Sequence, residues 1–156
     1  MPAKLKSLEE LTAIAARARA AGKLVVFTNG CFDLLHRGHV HLLRRAKALG
    51  DLLIVGLNSD RSVSGLKGRA RPILPEADRI ELIAAMEMVD YVVLFDEPDP
   101  FRVIQAILPN VLVKGGDWSA ERIVGADIVA EHGGHVEVVP YLSGFSTTEL
   151  IERIRS

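Results

Sequence analysis

Cysteine is almost missing from this sequence. Cys31 is the single one, so no intrachain disulfide can staple the fold, and a reducing compartment is expected. Charge of one sign is missing too: 19 Lys and Arg stand against 20 Asp and Glu, a formal net charge of −1. Such a balance gives no general pull on nucleic acid or an anionic membrane, and neither is expected as a partner. No apolar run approaches the roughly 20 residues that span a bilayer. The N-terminal MPAKLKSLEELTAIAARARA has basic residues but no continuous apolar core of the kind a signal peptide carries. GxGxxG does not follow the first strand, GxxxxGK[ST] occurs nowhere, and no HExxH or Cys/His framework is present. Readings as a dinucleotide oxidoreductase, a P-loop NTPase or a zinc enzyme thereby lose their main support. What is left is a cytoplasmic domain of 156 residues, 49% hydrophobic, large enough to close a core without staples. It is expected to be one domain over residues 1–156, with residues 1–22 as an N-terminal helix packed on it.

Apolar patterning places that domain in a class. Ser7 and Glu10 have capping-box spacing, and Leu8, Leu11, Ile14 and Ala18 recur at helical steps up to Gly22. Strands are expected at 24–27, 52–57, 91–95, 111–113 and 136–139, and further helices at 38–49, 75–89, 101–108, 120–131 and 147–154. Apolar strands alternating with helices imply right-handed crossovers and a parallel sheet covered on both faces. The expected fold is a Rossmann-like, doubly wound α/β domain with five parallel strands. Ligands of such sheets bind beyond the carboxyl ends of the strands, where strand order reverses. That directs attention to residues 28–39, 58–71, 114–118 and 143–149.

The first of these segments runs Thr28-Asn29-Gly30-Cys31-Phe32-Asp33-Leu34-Leu35-His36-Arg37-Gly38-His39. It leads into a helix N-terminus, where free N–H groups and the helix dipole favour an anion. Gly38 admits a phosphate closely. His36 and His39, one helical turn apart, can donate hydrogen bonds to a phosphoryl group as charge builds on it. The plainer alternative is that both histidines only cap or pack. A metal set of Asp33, His36, His39 and His41 is disfavoured because His41 faces elsewhere on the helix, so no metal ligand is assigned. Cys31 reads as a small core residue. In the second segment, Arg61, Lys67, Arg69 and Arg71 gather in a glycine-bearing loop that is either a phosphate clamp or a solvated crossover. In the third, Gly115 and Gly116 let backbone approach a planar base, and Asp117 can accept from a ribose hydroxyl; a plain tight turn is the alternative. In the fourth, Ser146 and Glu149 form a second capping box, and the same helix start can hold an anion. His132 and His135, in EHGGH, read as a helix C-cap turn.

Residues 28–39, with their HxGH core, resemble the nucleotidylyltransferase superfamily, which includes glycerol-3-phosphate cytidylyltransferase and pantetheine-phosphate adenylyltransferase. Class I aminoacyl-tRNA synthetases carry a similar HIGH signature but are far longer. NGCFDLLHRGHVHLL, GLNSD, LKGRARPILP, LPNVLVKGGDW and GFSTTELIERI look like the adenylyltransferase domain of bacterial ADP-heptose synthases, in order over roughly residues 20–155. That resemblance implies transfer of AMP from ATP to a sugar 1-phosphate, D-glycero-D-manno-heptose 1-phosphate, with release of pyrophosphate and with Mg²⁺ beside the phosphates. His36, His39 and Lys67 would be catalytic. Thr28, Asn29, Gly30, Phe32, Asp33 and Gly38 would hold nucleotide, with Arg71 and Arg79 as further cations. The Gly115–Asp117 turn would take the nucleoside, and Ser146, Thr147 and Thr148 the β- and γ-phosphates. ADP-heptose synthases are often fused to a sugar kinase, for which this length leaves no room, so a separate kinase is expected upstream; a homodimer is compatible with the sequence. Two rivals stand beside this reading: a cytidylyltransferase acting on glycerol 3-phosphate or a similar alcohol phosphate, and a non-catalytic nucleotide-binding module.

Overall fold

Strands and helices alternate along the chain in the computed structural model, which describes residues 1–116, 119 and 122–156. In chain order they are α1 (Leu8–Ala20), β1 (Val25–Gly30), α2 (Arg37–Ala48), β2 (Leu52–Asn58), α3 (Asp60–Lys67), α4 (Glu76–Ala84), β3 (Tyr91–Phe95), α5 (Phe101–Ile107), β4 (Val111–Gly115), α6 (Ala126–Glu131), β5 (His135–Val139) and α7 (Thr147–Arg155). The five strands form one sheet in the order β3-β2-β1-β4-β5, every pairing parallel. This is a Rossmann-like α/β domain. The chain winds outward from β1 to β3, then returns to the other side of β1 for β4, so strand order reverses between β1 and β4.

Strand periodicity of two sorts the apolar side chains onto two faces. On one face Val26, Leu53, Val55, Leu57, Val92, Val111 and Val113 pack with Leu43 and Ala46 of α2 and Ile80 and Ile83 of α4. On the other, Val25, Phe27, Ile54, Val93, Phe95 and Leu112 meet Leu11 and Ala15 of α1, Val103, Ile104 and Ile107 of α5, and Val129 of α6. Each fully buried aliphatic or aromatic side chain is worth about 1.5–3 kcal/mol. α1 starts at the expected capping box, the Ser7 hydroxyl accepting from the Glu10 N–H and the Glu10 carboxylate from the Ser7 N–H. Its Arg19 reaches across to donate to the carbonyls of Ile107 and Leu108 at the end of α5. The N-terminal segment also covers the β3 edge: Lys6 N–H donates to Val92 O, and Val92 N–H to Lys4 O.

The elements differ from expectation where polar residues continue or interrupt a pattern. β1 and β4 run on to Gly30 and Gly115, because ladder bonds do not require apolar side chains. Residues 60–67 form helix α3 rather than loop. Its composition (DRSVSGLK) hides it, yet its N-cap is regular, the Ser59 hydroxyl accepting from Ser62 N–H at 3.1 Å. α4 stops at Ala84 instead of 89. α6 begins at Ala126, and residues 120 and 121 of the longer helix expected there lie outside the described residues.

Candidate active site

β1 and β4 pair only through Val26–Val111 and Phe27–Leu112. Beyond that the Thr28 hydroxyl, fully buried, donates to Val113 O at 2.9 Å, and the two strands part. A cavity of about 530 Å³ opens at their carboxyl ends. Its lining includes Asn29, Gly30, Phe32, His39, Lys67, Arg71, Gly115 and Thr147, taken from all the segments that the sequence singled out. It also includes Lys114, which heads the third of those segments without a role assigned to it, and Arg122, which motif reasoning passed over. Lys114 lies at the carboxyl end of β4 itself; Arg122 has no sequence signal.

The two histidines sit at the start of α2 in an arrangement that uses one nitrogen of each ring. His36 is the N-cap, and its Nδ1 accepts from the Gly38 N–H at 3.0 Å. His39 Nδ1 accepts from the His36 N–H at 3.3 Å. The rings stack with centroids 3.9 Å apart, and His39 lies 5.3 Å from the Phe32 ring. Burial depresses both imidazoles. For His39, with His36 and Lys67 adding to burial, the value falls to about 4; for His36 burial outweighs the opposing charge of Glu149. Both rings are therefore neutral at pH 7. With Nδ1 accepting, the ring proton resides on Nε2, which makes each Nε2–H a donor. The capping and anion-donor readings are thus compatible: Nδ1 caps, Nε2 remains. Gly38 is required for this fold-back, since a Cβ there would stand 2.8 Å from His36 Cε1.

Other expected site residues fall into two groups. Lys67 ends α3, exposed, at the cavity wall; Arg71 lies near it. Ser146 caps α7, its hydroxyl accepting from Glu149 N–H at 3.0 Å, while the reciprocal half of the expected capping box is not made. Thr147 donates to Leu34 O at 3.4 Å and lines the cavity; Thr148 is exposed on the first turn of α7. Gly116 has φ +114°, and a Cβ there would meet the Tyr141 ring at 2.7 Å, so the turn after β4 needs glycine. Asp117 lies outside the described residues. Two residues are engaged by the protein itself. Asp33, 1% exposed, accepts from the N–H groups of Ile73 and Leu74 and from Arg71 Nε. Arg79 is neither on the surface nor lining the cavity: at 0% exposure it donates to the carbonyls of Cys31, Asn58 and Leu74 and pairs with Asp60 at 2.8 Å. Cys31 is not a core residue but half-buried at the cavity floor, where burial raises its thiol above the usual range despite Lys67, Arg79 and Arg71 nearby. It is not an activated thiolate.

Electrostatically the cavity suits a polyanion. Among the described residues, Lys67, Arg71, Lys114 and Arg122 line it against two carboxylates, Asp99 and the already paired Asp33. Burial lowers the Lys114 ammonium, with Cys31 opposing. Among the described residues no cluster of three or more His, Cys, Asp or Glu side chains is arranged to hold a metal ion. With Asp33 occupied by three donors, the donor set among the described residues does not form a protein cage for Mg²⁺. No helix among the described residues is long and apolar enough to cross a membrane.

The cytidylyltransferase-like family matches residues 27–153. Bifunctional protein HldE of Geotalea uraniireducens is 54% identical over 154 residues, 99% of this chain and 31% of that protein. Its counterpart in Halorhodospira halophila is 55% identical over 146 residues, 94% of this chain and 31% of that protein. The chain thus spans under a third of the length of these curated relatives. Among solved structures, the lipopolysaccharide core biosynthesis protein of Thermoplasma volcanium superposes with a TM-score of 0.62 at 31% identity, covering 78% of this chain and 98% of that one. Pantoate-beta-alanine ligase of Francisella tularensis, complexed with beta-gamma ATP and beta-alanine, gives a TM-score of 0.63 at 15% identity over 97% of this chain and 76% of that one, a likeness of fold.

Proposed function

This chain belongs to the cytidylyltransferase-like family and is a nucleotidyltransferase; from that premise we propose that it transfers AMP from ATP to a sugar 1-phosphate, giving an ADP-sugar and pyrophosphate. The acceptor proposed is D-glycero-D-manno-heptose 1-phosphate. Identities above 50% to proteins named HldE support it, as do the motif resemblances to ADP-heptose synthases. A kinase-class reaction upstream would supply the acceptor phosphate.

The observation that carries the chemistry is the stacked His36–His39 pair with Nδ1 bound to backbone N–H and Nε2–H remaining. An oxygen of the sugar phosphate attacks the α-phosphorus in line, the bond from that phosphorus to the bridging oxygen breaks, and pyrophosphate leaves. Neutral imidazole donors suit this step. They bind a phosphoryl oxygen more strongly as its charge grows, and no covalent intermediate is needed. Lys67 and Arg71 would neutralise phosphate charge, and the α2 and α7 N-termini would add backbone dipoles. Mg²⁺ would come as the counter-ion of the triphosphate substrate. The test is pyrophosphate release with ATP, CTP, GTP and UTP crossed with heptose 1-phosphate, other sugar 1-phosphates and glycerol 3-phosphate. Release only with ATP and a sugar 1-phosphate is expected. Release with CTP and glycerol 3-phosphate, or nucleotide binding without release from any pair, overturns the reading.

A further inference from the structure

The backbone of Ile73 and Leu74 is gripped from both sides. The Asp33 carboxylate accepts Ile73 N–H at 2.8 Å and Leu74 N–H at 2.9 Å, and Arg79 Nε donates to Leu74 O at 3.0 Å. Arg79 also donates to Cys31 O at 2.8 Å, which closes a ring of bonds from the end of β1 through Arg79 and Leu74 back to Asp33. Between Cys31 and Asp33 stands Phe32 with φ +48°, a left-handed conformation unfavourable for a side-chain-bearing residue. Such a kink persists only where its surroundings over-determine it. Here the carbonyl on one side and the carboxylate on the other are both held, and the Phe32 ring lies against His39.

The clasp has a directional consequence for Arg71. Asp33 takes that guanidinium through Nε at 2.7 Å. Four of its five N–H donors, those on the two amino groups, lie outside that bond. The Arg71 carbonyl is fixed as well, accepting from the Ser64 hydroxyl at 2.7 Å. A long side chain that would otherwise sample many rotamers is thus held at the cavity wall, so less entropy is lost when it meets a phosphate. We propose that Asp33 is a positioning residue and not a nucleotide ligand: it aligns Arg71, through Nε, so that the amino groups meet phosphoryl oxygens of a substrate in the cavity. This rests on the nucleotidyltransferase reading above.

A double-mutant cycle tests it, using Asp33→Asn, Arg71→Ala and the double variant of the full chain. Three quantities are read: the Kd of ATP by calorimetry, and the KM of ATP and of the sugar 1-phosphate in pyrophosphate release. The ATP and acceptor arms tell which phosphate Arg71 meets. Asp33→Asn is expected to raise one of these constants about 10-fold with kcat within about 3-fold, and to add less than about 2-fold on top of Arg71→Ala. Arg71→Lys, which keeps the charge but has no Nε to be held, is expected to lose as much as Arg71→Ala, and it decides the matter should Asp33→Asn not fold. Effects that multiply in the double variant, a wild-type KM in Arg71→Lys, or unchanged constants in Arg71→Ala overturn the proposal. A wild-type chain that releases no pyrophosphate but shows the coupled loss in ATP Kd refutes the transferase reading and leaves the clasp standing. One that binds no triphosphate overturns both.

Discussion

At the scale of single residues, hydrogen-bond accounting separates groups that can act on a ligand from groups already occupied. His36 and His39 each use Nδ1 in the helix start and keep an Nε2–H donor. His36→Ala and His39→Ala should each lower kcat for pyrophosphate release by about 10²–10³, the scale of a removed oxyanion donor. ¹⁵N NMR of the free protein at pH 7 should find both rings neutral with the proton on Nε2; a doubly protonated ring, or near-normal turnover in both variants, sinks the assignment. Arg79 stands at the opposite end of the scale. Its donors meet three carbonyls and the half-exposed Asp60 carboxylate, so Arg79→Met leaves a carboxylate and three acceptors without a partner. Each carbonyl left buried and unpaired costs about 1–3 kcal/mol, while the half-exposed Asp60 carboxylate regains water, and a lowering of Tm by on the order of 10 °C is expected. An unchanged Tm with lost ATP binding would instead put Arg79 on the phosphates. The sequence reveals that an arginine is present at position 79 but not which carbonyls the chain folds around it. Asp33 and Cys31 escaped for the same reason, as burial and partners are tertiary facts.

At the scale of elements, what was legible followed apolar periodicity, and what was not lacked it. The five strands could be read because their cores are apolar on both faces, as in Leu53, Ile54 and Val55. α1 could be read because Ser7 and Glu10 announce it. α3 could not, since only Val63 and Ser62 are buried and Gly65 interrupts the pattern. The consequence for the site is that Lys67 is mounted on a helix end, not a loop. α7 was legible from Ser146 and Glu149, yet it has no fully buried residue. Its stability must then depend heavily on its cap. Ser146→Ala should cost about 1 kcal/mol, read as faster amide exchange along 147–155, while global Tm moves by less than about 2 °C and the ATP Kd rises several-fold. A Tm loss as large as that of a core substitution would show that α7 folds with the sheet as one unit.

For the molecule as a whole, the fold class was the most legible feature, because alternation of apolar strands with helices admits few topologies. The crevice between β1 and β4 follows from that topology, so its location was legible before any side chain was placed. Its electrostatics were not, and they determine how stability depends on pH. His36 and His39 have folded values below the ordinary 6.5. For Asp33, burial alone would raise the carboxyl, but the Leu74 and Ile73 N–H groups and Arg71 hold it below its ordinary value. The sign is the same for all three: on the acid side the unfolded chain binds protons that the folded chain refuses, so stability falls as pH falls. The histidine contribution belongs to the window from about 6.5 down to about 4, and the Asp33 contribution to pH below about 3.8. On the alkaline side the raised Cys31 thiol and the lowered Lys114 ammonium act in opposite directions. Urea midpoints should therefore decline steadily from pH 7 to pH 4. His39→Gln, which has no ring to protonate, should flatten that limb and leave the steeper loss below pH 4 in place. A limb of unchanged slope in His39→Gln would mean that His39 titrates alike in the folded and unfolded chains, and the neutral-donor chemistry assigned to it would lose its basis.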